Sequence, residues 1–353
     1  MAVIDIKWTE ATDNVGVVEY QIHYRVTGAP GFSQFGTVAY PATTFQLTGL
    51  TENESYDIKI TATDAALNVS NDSNIVTYEA YGDGYLLDQY TGAVGAYSFR
   101  KLSSSATFCC VVRRDSDDAE TTVSLEDSGS ITLASDVSAG GDLGTWAGSN
   151  DVFVTQWFDQ SSNGNNAVQA TNSNQPRLIN NGTLYMSNGN AAIQFLANNI
   201  ISAPRLISID TWSFHGVVTP FESPPNSGSS VIACQHSGAT TVGRVGFAFQ
   251  TASDAKTRMF LNNGTTYAGS HSTNWPTDQT SFSNYGLNNN YSWSQDGATP
   301  ETLISGQSFT PLNENFHIGN YGNNASNWYN GYMQELIMYP SDESSNRSAI
   351  ETN

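Results

Sequence analysis

Short apolar runs that alternate with polar residues, broken every few positions by Asn, Gly, Ser or Pro, constrain this chain more than any other feature. In the first 80 residues they include Ala2-Ile4-Ile6-Trp8, Tyr20-Ile22-Tyr24, Phe45-Leu47 and Tyr56-Ile58-Ile60. A period of two on both sides of short turns puts one face of each strand into a core. Outside one or two short segments, no stretch has the apolar spacing of a helix. The chain therefore reads as all-β, and its 353 residues are enough for two or three domains, each with its own core.

Thirteen Lys and Arg stand against 33 Asp and Glu, for a formal net charge of -20. Such a surface repels phosphate backbones and anionic membranes, so nucleic acid and lipid are not expected as partners. Only 13% of residues are charged, and polarity comes mainly from neutral amides and hydroxyls. These suit sugar hydroxyls, and equally any extracellular β-sandwich. No apolar run is long enough to span a membrane, and the start MAVIDIKW lacks the basic and apolar regions of a signal peptide. That fits a particle assembled inside a cell, or a chain trimmed of its leader; both ends look cut. Cys109, Cys110 and Cys234 form no disulfide framework, and three buried thiols are expected.

The pieces W-T-x-A-T-D-N-V-G-V, Y-x-I-x-Y, L-x-G-L-x-E-x-x-x-Y and I-x-A-x-D-A-A-x-N-x-S fill residues 1–80. Together they resemble a fibronectin type III domain. The resemblance implies an immunoglobulin-like sandwich with Trp8 in its core and a tyrosine corner made by Leu50 and Tyr56. The proline-rich first strand of such domains is short or missing before Val3.

Residues 81–180 form a module within a second domain spanning 81–353. The spacing of Leu86, Leu87, Tyr90, Val94, Tyr97 and Leu102 loosely predicts a helix, weakened by Gly92 and Gly95. Phe108–Arg114 and Phe153–Phe158 read as core strands. From Ala96 to Ile179 the runs AYSFRKL, VVRRDSDDAET, FVTQWFDQSSNGNNAVQ and NQPRLI follow in order. That order resembles a module of tailed-phage virion proteins. The DQSS loop also resembles the DQSG-type loop of arabinofuranosidase B catalytic domains.

Residues 181–353 carry the main jelly-roll strands, expected at Ala191–Phe195, Trp212–Thr219, Val231–Cys234, Val245–Gln250, Thr257–Leu261, Phe316–Gly319 and Tyr332–Tyr339. The ending F-H-I-G-N then W-Y-N-G-Y-M-Q-E-L-I-M-Y-P resembles the last strands of laminin-G and concanavalin-like jelly rolls. Leu336 and Met338 would share one face, with Ile337 and Tyr339 on the other. A terminal helix would start at Ser341 or Asp342 as N-cap, with Glu343 in its first turn.

A glycosidase needs two carboxyls across a cleft. The arabinofuranosidase resemblance implies a nucleophile in an A-D-L-E-N-G-type segment, no such run being expected anywhere in this chain, and an acid/base in a G-D-N-S-N…F-Y-E-G segment. The counterpart of the latter is GNNASNWYNG, where Asn323 stands in place of the aspartate, and an amide cannot donate a proton as a carboxylic acid does. No hydrolase activity is expected.

The loop Asp159–Asn166 has the side chains of an Asx-stabilised turn, with Gly164 free to take positive φ. A rigid loop whose Asp159 pairs with Arg113 or Arg114 is the first reading; a sugar-binding loop using Asp159 and Asn163, or a calcium loop, stay open. Asp115, Asp117 and Asp118 are the nearest acidic cluster, a weak candidate for calcium or a solvated turn. No other cofactor is implied, since His23, His215, His236, His271 and His317 lack zinc spacing. Trp146, Trp157, Trp212, Trp275, Trp293 and Trp328 could stack on sugar rings. Trp157 and Trp212 sit in apolar strands and read as core. Trp275, Trp293 and Trp328, in Asn- and Ser-rich surroundings, read as exposed glycan-binding candidates, with Asn323.

The reading is a fibronectin type III sandwich followed by a concanavalin-like jelly roll, in a phage tail or head fibre component on the virion surface that attaches to host polysaccharide. Other virion proteins are expected partners, and the chain is expected to form a homo-oligomer, a trimer among the forms allowed. Rival readings are a secreted arabinofuranosidase-like hydrolase or accessory carbohydrate-binding protein, and a spacer with no ligand.

Overall fold

A computed structural model describes residues 2–51, 54–80, 85–127, 129–196, 198–221, 229–235, 244–250, 256–262, 265–274, 278–320 and 328–352. The chain divides into two compact units, Met1–Tyr85 and Leu86–Glu351.

The first unit holds β1 (Ala2–Lys7), β2 (Val17–Val26), β3 (Ser33–Ala39), β4 (Thr44–Leu50), β5 (Ser55–Asp64) and β6 (Val76–Glu79). β1 pairs antiparallel with β4, and the order β3-β2-β5-β6 makes the facing sheet. The alternating runs meet between them: Ile4, Ile6, Ile22, Leu47, Leu50, Tyr56 and Ile58 are buried, and Trp8 packs on this cluster. Trp8 meets Tyr20 edge-on at 5.2 Å between ring centroids. The tyrosine corner is formed, with the Tyr56 hydroxyl accepting the Thr51 N–H at 3.1 Å.

The second unit begins with α1 (Leu86–Gln89), β7 (Gly95–Ser98), β8 (Phe108–Arg114), β9 (Glu120–Ser124), α2 (Leu143–Ala147), β10 (Val152–Trp157), β11 (Ala167–Val168) and β12 (Arg177–Asn180). Short strands β13 (Thr183–Leu184), β14 (Met186–Ser187), β15 (Asn190–Ala191), β16 (Ile193–Phe195) and β17 (Ile201–Ala203) follow. Then come β18 (Trp212–Pro220), β19 (Ser229–Gln235), β20 (Arg244–Gln250), β21 (Lys256–Asn262) and β22 (Thr266–Asn274). The last elements are β23 (Thr280–Leu287), β24 (Asn290–Gln295), β25 (Glu301–Ile304), β26 (Phe316–Ile318), β27 (Gly331–Tyr339) and α3 (Arg347–Thr352). Apart from the hairpin β14–β15, these strands join one continuous antiparallel network that encloses a single large core.

β27 behaves as its alternation requires. Leu336 and Met338 face the large core, while Ile337 and Tyr339 face a second cluster with Leu86, Leu87, Ala96 and Leu102. The helix expected over residues 86–102 is cut to four residues. Gly92 takes φ +93°, and the chain then extends into β7, which pairs with β27 from Gly95 to Ser98. Tyr97 and Leu102, counted to one helix face, thus reach the interior from a strand and a turn.

The terminal helix also starts later than expected. Asp342 accepts the Ser344 N–H at 3.0 Å, but Ser213 on β18 donates to the Ser341 carbonyl at 2.8 Å and accepts the Glu343 N–H at 2.7 Å. Those bonds hold 341–343 against the sheet, and α3 begins at Arg347.

Strands β22 to β25 were not expected from the sequence. β23 reads TSFSNYGL, yet Ser283 and Asn284 are as buried as Phe282. Asn284 accepts the Trp212 indole N–H at 3.1 Å, and a Cβ on Gly286 would come within 2.7 Å of the same indole. A buried tryptophan therefore dictates polar and small residues on its partner strand.

All three cysteines are buried free thiols. The Cys109 and Cys110 sulfurs lie 3.4 Å apart, where a bulge in the β8–β9 pairing lets both adjacent side chains reach the interior.

Candidate functional site

The motifs of the Ala96–Ile179 stretch fold onto one another. One Asp159 carboxylate oxygen accepts the Ala96 and Ser161 N–H groups, each at 2.9 Å, and the other accepts the Asn165 N–H at 3.0 Å. Asn166 accepts the Asp159 N–H at 2.9 Å. Asn163 and Asn165 donate to the Ala93 and Val94 carbonyls at 2.8 and 2.6 Å. Ser162 and Gly164 take positive φ, the backbone cost of so tight a loop.

Gln160, fully inside, completes the join. Its side-chain oxygen accepts the Leu102 N–H at 2.7 Å, and its amide donates to the Ser98 and Arg100 carbonyls at 3.1 and 3.0 Å. The Tyr97 hydroxyl donates to the Asn165 carbonyl at 2.5 Å. Burial, and then the nearby Asp159 charge, push that phenol well above its ordinary pKa, so it keeps the proton it donates. The D-Q-S-x-N-G-N run is thus the clamp of the A-Y-S-x-R-K-L run.

Arg100, from the same run, makes a two-pronged ion pair with Glu335 of β27 at 2.7 and 2.9 Å, and Ser98 donates to that carboxylate at 2.9 Å. Arg113 donates to Gln175 at 2.8 Å, joining the V-R-R run to N-Q-P.

The expected pairing of Asp159 with Arg113 or Arg114 does not form. Arg113 binds Asp118 at 2.7 Å, and Arg114 binds Asp117 at 3.0 and 2.7 Å. Both acids lie in the turn just after β8, within reach of the arginines, whereas Asp159 is turned to β7. The Arg114 guanidinium, with its hydrogen bond foremost, holds the Asp117 carboxyl below its usual range. Asp115 instead accepts the Asp151 N–H at 3.1 Å. The three aspartates are tied to different partners, and among the described residues no cluster of His, Cys, Asp or Glu suited to a metal ion occurs.

Of the tryptophans read as exposed, Trp293 is not. It is 0% exposed and lies stacked on Phe282 at 5.2 Å. Its polar neighbours misled because β24 alternates: Ser292 points the other way, and Tyr291 and Trp293 share the inward face. Trp328 is half-buried, its backbone bridged to Asn320. Trp275 and Asn323 lie outside the described residues. Trp157 and Trp212 are core, as expected. Trp146 packs against the core under the Arg114 guanidinium, 4.9 Å from its ring centre.

What sequence reading missed is a row of side chains running across six strands. Register pairs Arg113 (β8) with Phe153 (β10), Phe153 with Arg177 (β12), Arg177 with Gln194 (β16), Gln194 with Tyr332 (β27), and Tyr332 with Thr219 (β18). Paired positions on neighbouring strands share a face. That face is the outer one, because Val112, Val154, Leu178, Ile193, Met333 and Val218 beside them are in the core.

Phe153 lies between two guanidinium groups, Arg113 at 5.1 Å and Arg177 at 5.3 Å from its centroid. Arg177 also meets Asp151 at 3.4 Å. Tyr332 is flanked by Tyr185 at 5.3 Å and, edge-on, by Phe221 at 4.9 Å. Burial, and then Tyr185, raise its phenol pKa, so Tyr332 is a neutral donor at ordinary pH. Ser187, on the hairpin β14–β15, shares a 2.6 Å hydroxyl bond with Thr219. Phe153, Arg177, Tyr185, Thr219, Phe221 and Tyr332 are all half-buried. Flat faces beside neutral amide and hydroxyl groups are what a sugar ring needs, its CH surface stacking while its hydroxyls hydrogen-bond.

No family model matches the chain, and no curated protein matches it in sequence. Among solved structures it is similar to a GH54 α-L-arabinofuranosidase soaked with a cyclic sulfate inhibitor, with a TM-score of 0.55 and 18% identity, over 76% of this chain and 63% of that one. An arabinofuranosidase complexed with arabinofuranosyl-alpha-1,2-xylobiose gives the same values. This chain therefore spans less than two thirds of those proteins' length. Domain 4 of a GH43 extracellular arabinanase from Geobacillus stearothermophilus, in complex with arabinotriose, matches at a TM-score of 0.38 and 17% identity, over 48% of this chain and 80% of that one. At 18% identity the arabinofuranosidase likeness shows a shared β-sandwich fold.

Proposed function

We propose that the chain is a component of a phage tail or head fibre whose larger sandwich binds host-surface glycans without cleaving them. The observation that carries the glycan part is the outward row from Arg113 to Thr219, which joins half-buried aromatic faces to neutral hydrogen-bonding groups on a fold shared with carbohydrate-active proteins. The virion part rests on the order of motifs from Ala96 to Ile179, whose side chains form one bonded unit and so keep that order as a scaffold signature. Other virion proteins, and further copies of the chain, are its partners in this reading.

Absence of hydrolysis is supported by two segments. GNNASNWYNG carries Asn323 in place of the arabinofuranosidase acid/base. The nucleophile segment, expected to have no counterpart, has its nearest run in Leu261-Asn262-Asn263-Gly264, where Asn262 stands in place of the glutamate. An amide neither donates a proton as an acid nor attacks as a carboxylate.

A glycan array probed with purified protein tests the reading: binding to host polysaccharide is expected, and no binding to any of them sinks it. Incubation with an aryl-arabinofuranoside tests the other side. Turnover that disappears when one carboxylate is replaced would make the chain an enzyme.

A further inference from the structure

The row has a length and a charge state, and both restrict what it can hold. Its six strands are separated by five inter-strand steps, about 24 Å at ordinary sheet spacing. A single sugar ring would cover only a part of that. Its two arginines do not offer free positive charge. Arg113 is joined to Asp118 at 2.7 Å and to Gln175, and Arg177 is joined to Asp151 at 3.4 Å and to Asn180 at 2.8 Å. Both guanidinium groups lie over the Phe153 ring, and Arg177, whose side chain is the more exposed of the two, offers the flat face that stays open. The chain around them carries a net charge of -20, which repels polyanions.

Resting on the glycan-binding reading above, we infer that the row is the binding site and that its ligand is a linear, neutral polysaccharide lying across the strands. The Arg177 face over Phe153 stacks on one ring and the Tyr332 face with Tyr185 and Phe221 on another, while Gln194, buried beside Tyr332 and bonded to it, holds that ring and Thr219 hydrogen-bonds to a hydroxyl beyond it. Acidic polysaccharides are excluded on charge: a carboxylate or sulfate on the chain would meet Asp118 and Asp151 beside the arginines it seeks.

The test is calorimetric titration of the full chain with neutral xylo-, arabino- and gluco-oligosaccharides of graded length, with polygalacturonate as the acidic probe. Affinity should climb with length and level off once the row is filled, and polygalacturonate should bind more weakly than the best neutral series. Tyr332→Ala should lower affinity for the longest neutral ligand about tenfold, the scale of one lost stacking contact. Gln194→Ala should lower it less, and Val168→Ser, at a half-exposed position away from the row, should leave it unchanged. Thermal melting of each variant confirms that the fold persists.

Neutral binding that Tyr332→Ala and Gln194→Ala leave intact in folded protein would overturn the site while sparing the glycan reading. A preference for polygalacturonate would overturn the neutral class. Binding of none of the saccharides would overturn both the site and the reading beneath it.

Discussion

Two regions of the larger sandwich are built from similar residues and put them to opposite use. In the Ala96–Ile179 stretch, Asp159, Gln160, Asn163 and Asn165 turn their polar atoms into the fold and hold the β7 segment in place. In the row from Arg113 to Thr219, amide, hydroxyl, guanidinium and aromatic groups stand on an outer sheet face. The first region is contiguous and recognisable; the second takes one residue from each of six strands. A motif that can be read from sequence can therefore be pure scaffold, while the surface that meets a ligand leaves no run of letters behind.

The contrast breaks most visibly at Gln160. Replacing it with Ala strands the Leu102 N–H and the Ser98 and Arg100 carbonyls in the interior, and should cost about 4 kcal/mol, given ~1–3 kcal/mol for each buried group left unpaired. Denaturant titration measures this. A cost below about 1 kcal/mol would mean the motif is not the clamp it resembles. Glu335→Gln removes the charge on β27 that Arg100, just past β7, grips, and should cost about 3 kcal/mol, the scale of breaking a largely buried ion pair from one side. In either variant, glycan affinity measured on the folded fraction should stay unchanged.

How much of this was legible follows from where polar residues point. The alternating runs around Ile4, Ile22 and Ile58 gave the first sandwich correctly, down to the Tyr56 corner, because each inward position is apolar. The same reasoning failed over β22 to β25. There Asn284 is inward, its chemistry set by a distant partner, Trp212, and Ser283 and Ser294 are buried on the opposite face. Trp293 was misplaced for the complementary reason, since its serine neighbours describe the opposite face of β24. The row was invisible because register, which brings Arg113, Arg177 and Tyr332 onto one line, is a property of strand pairing across more than 200 residues.

Outward position alone does not make a binding surface, and β18 shows it. His215, on the same strand as Thr219, is wholly buried, with Ser283 at 2.8 Å and the rings of Tyr285 and Tyr339 on either side. Burial, and then the charge of Arg347, lower its pKa from 6.5 to about 3. The sign follows from proton counting: between those values the unfolded chain binds a proton that the folded one refuses. Stability is therefore full above pH 6.5 and falls as pH drops toward 3, by up to ~1.4 kcal/mol per pH unit from this one group. His215→Gln should flatten that part of the stability profile, as read by melting temperature against pH; an unchanged slope would remove His215 as its source.

The smallest expected effect is the most discriminating about the row's extent. Thr219 is its last member, on β18, and shares its hydroxyl with Ser187. Thr219→Val keeps the β-branched shape, so the strand should persist, and loss of one half-buried hydroxyl bond should cost about 1 kcal/mol or less. A ligand lying along all six strands should then bind about two- to threefold more weakly when long, and equally well when too short to reach β18, by the weight of one neutral hydrogen bond. If short and long ligands lose affinity alike, they sit at the Tyr332–Thr219 end. If neither changes, the surface in use stops at Tyr332, and the contrast between scaffold and site narrows to the strands from β8 to β27.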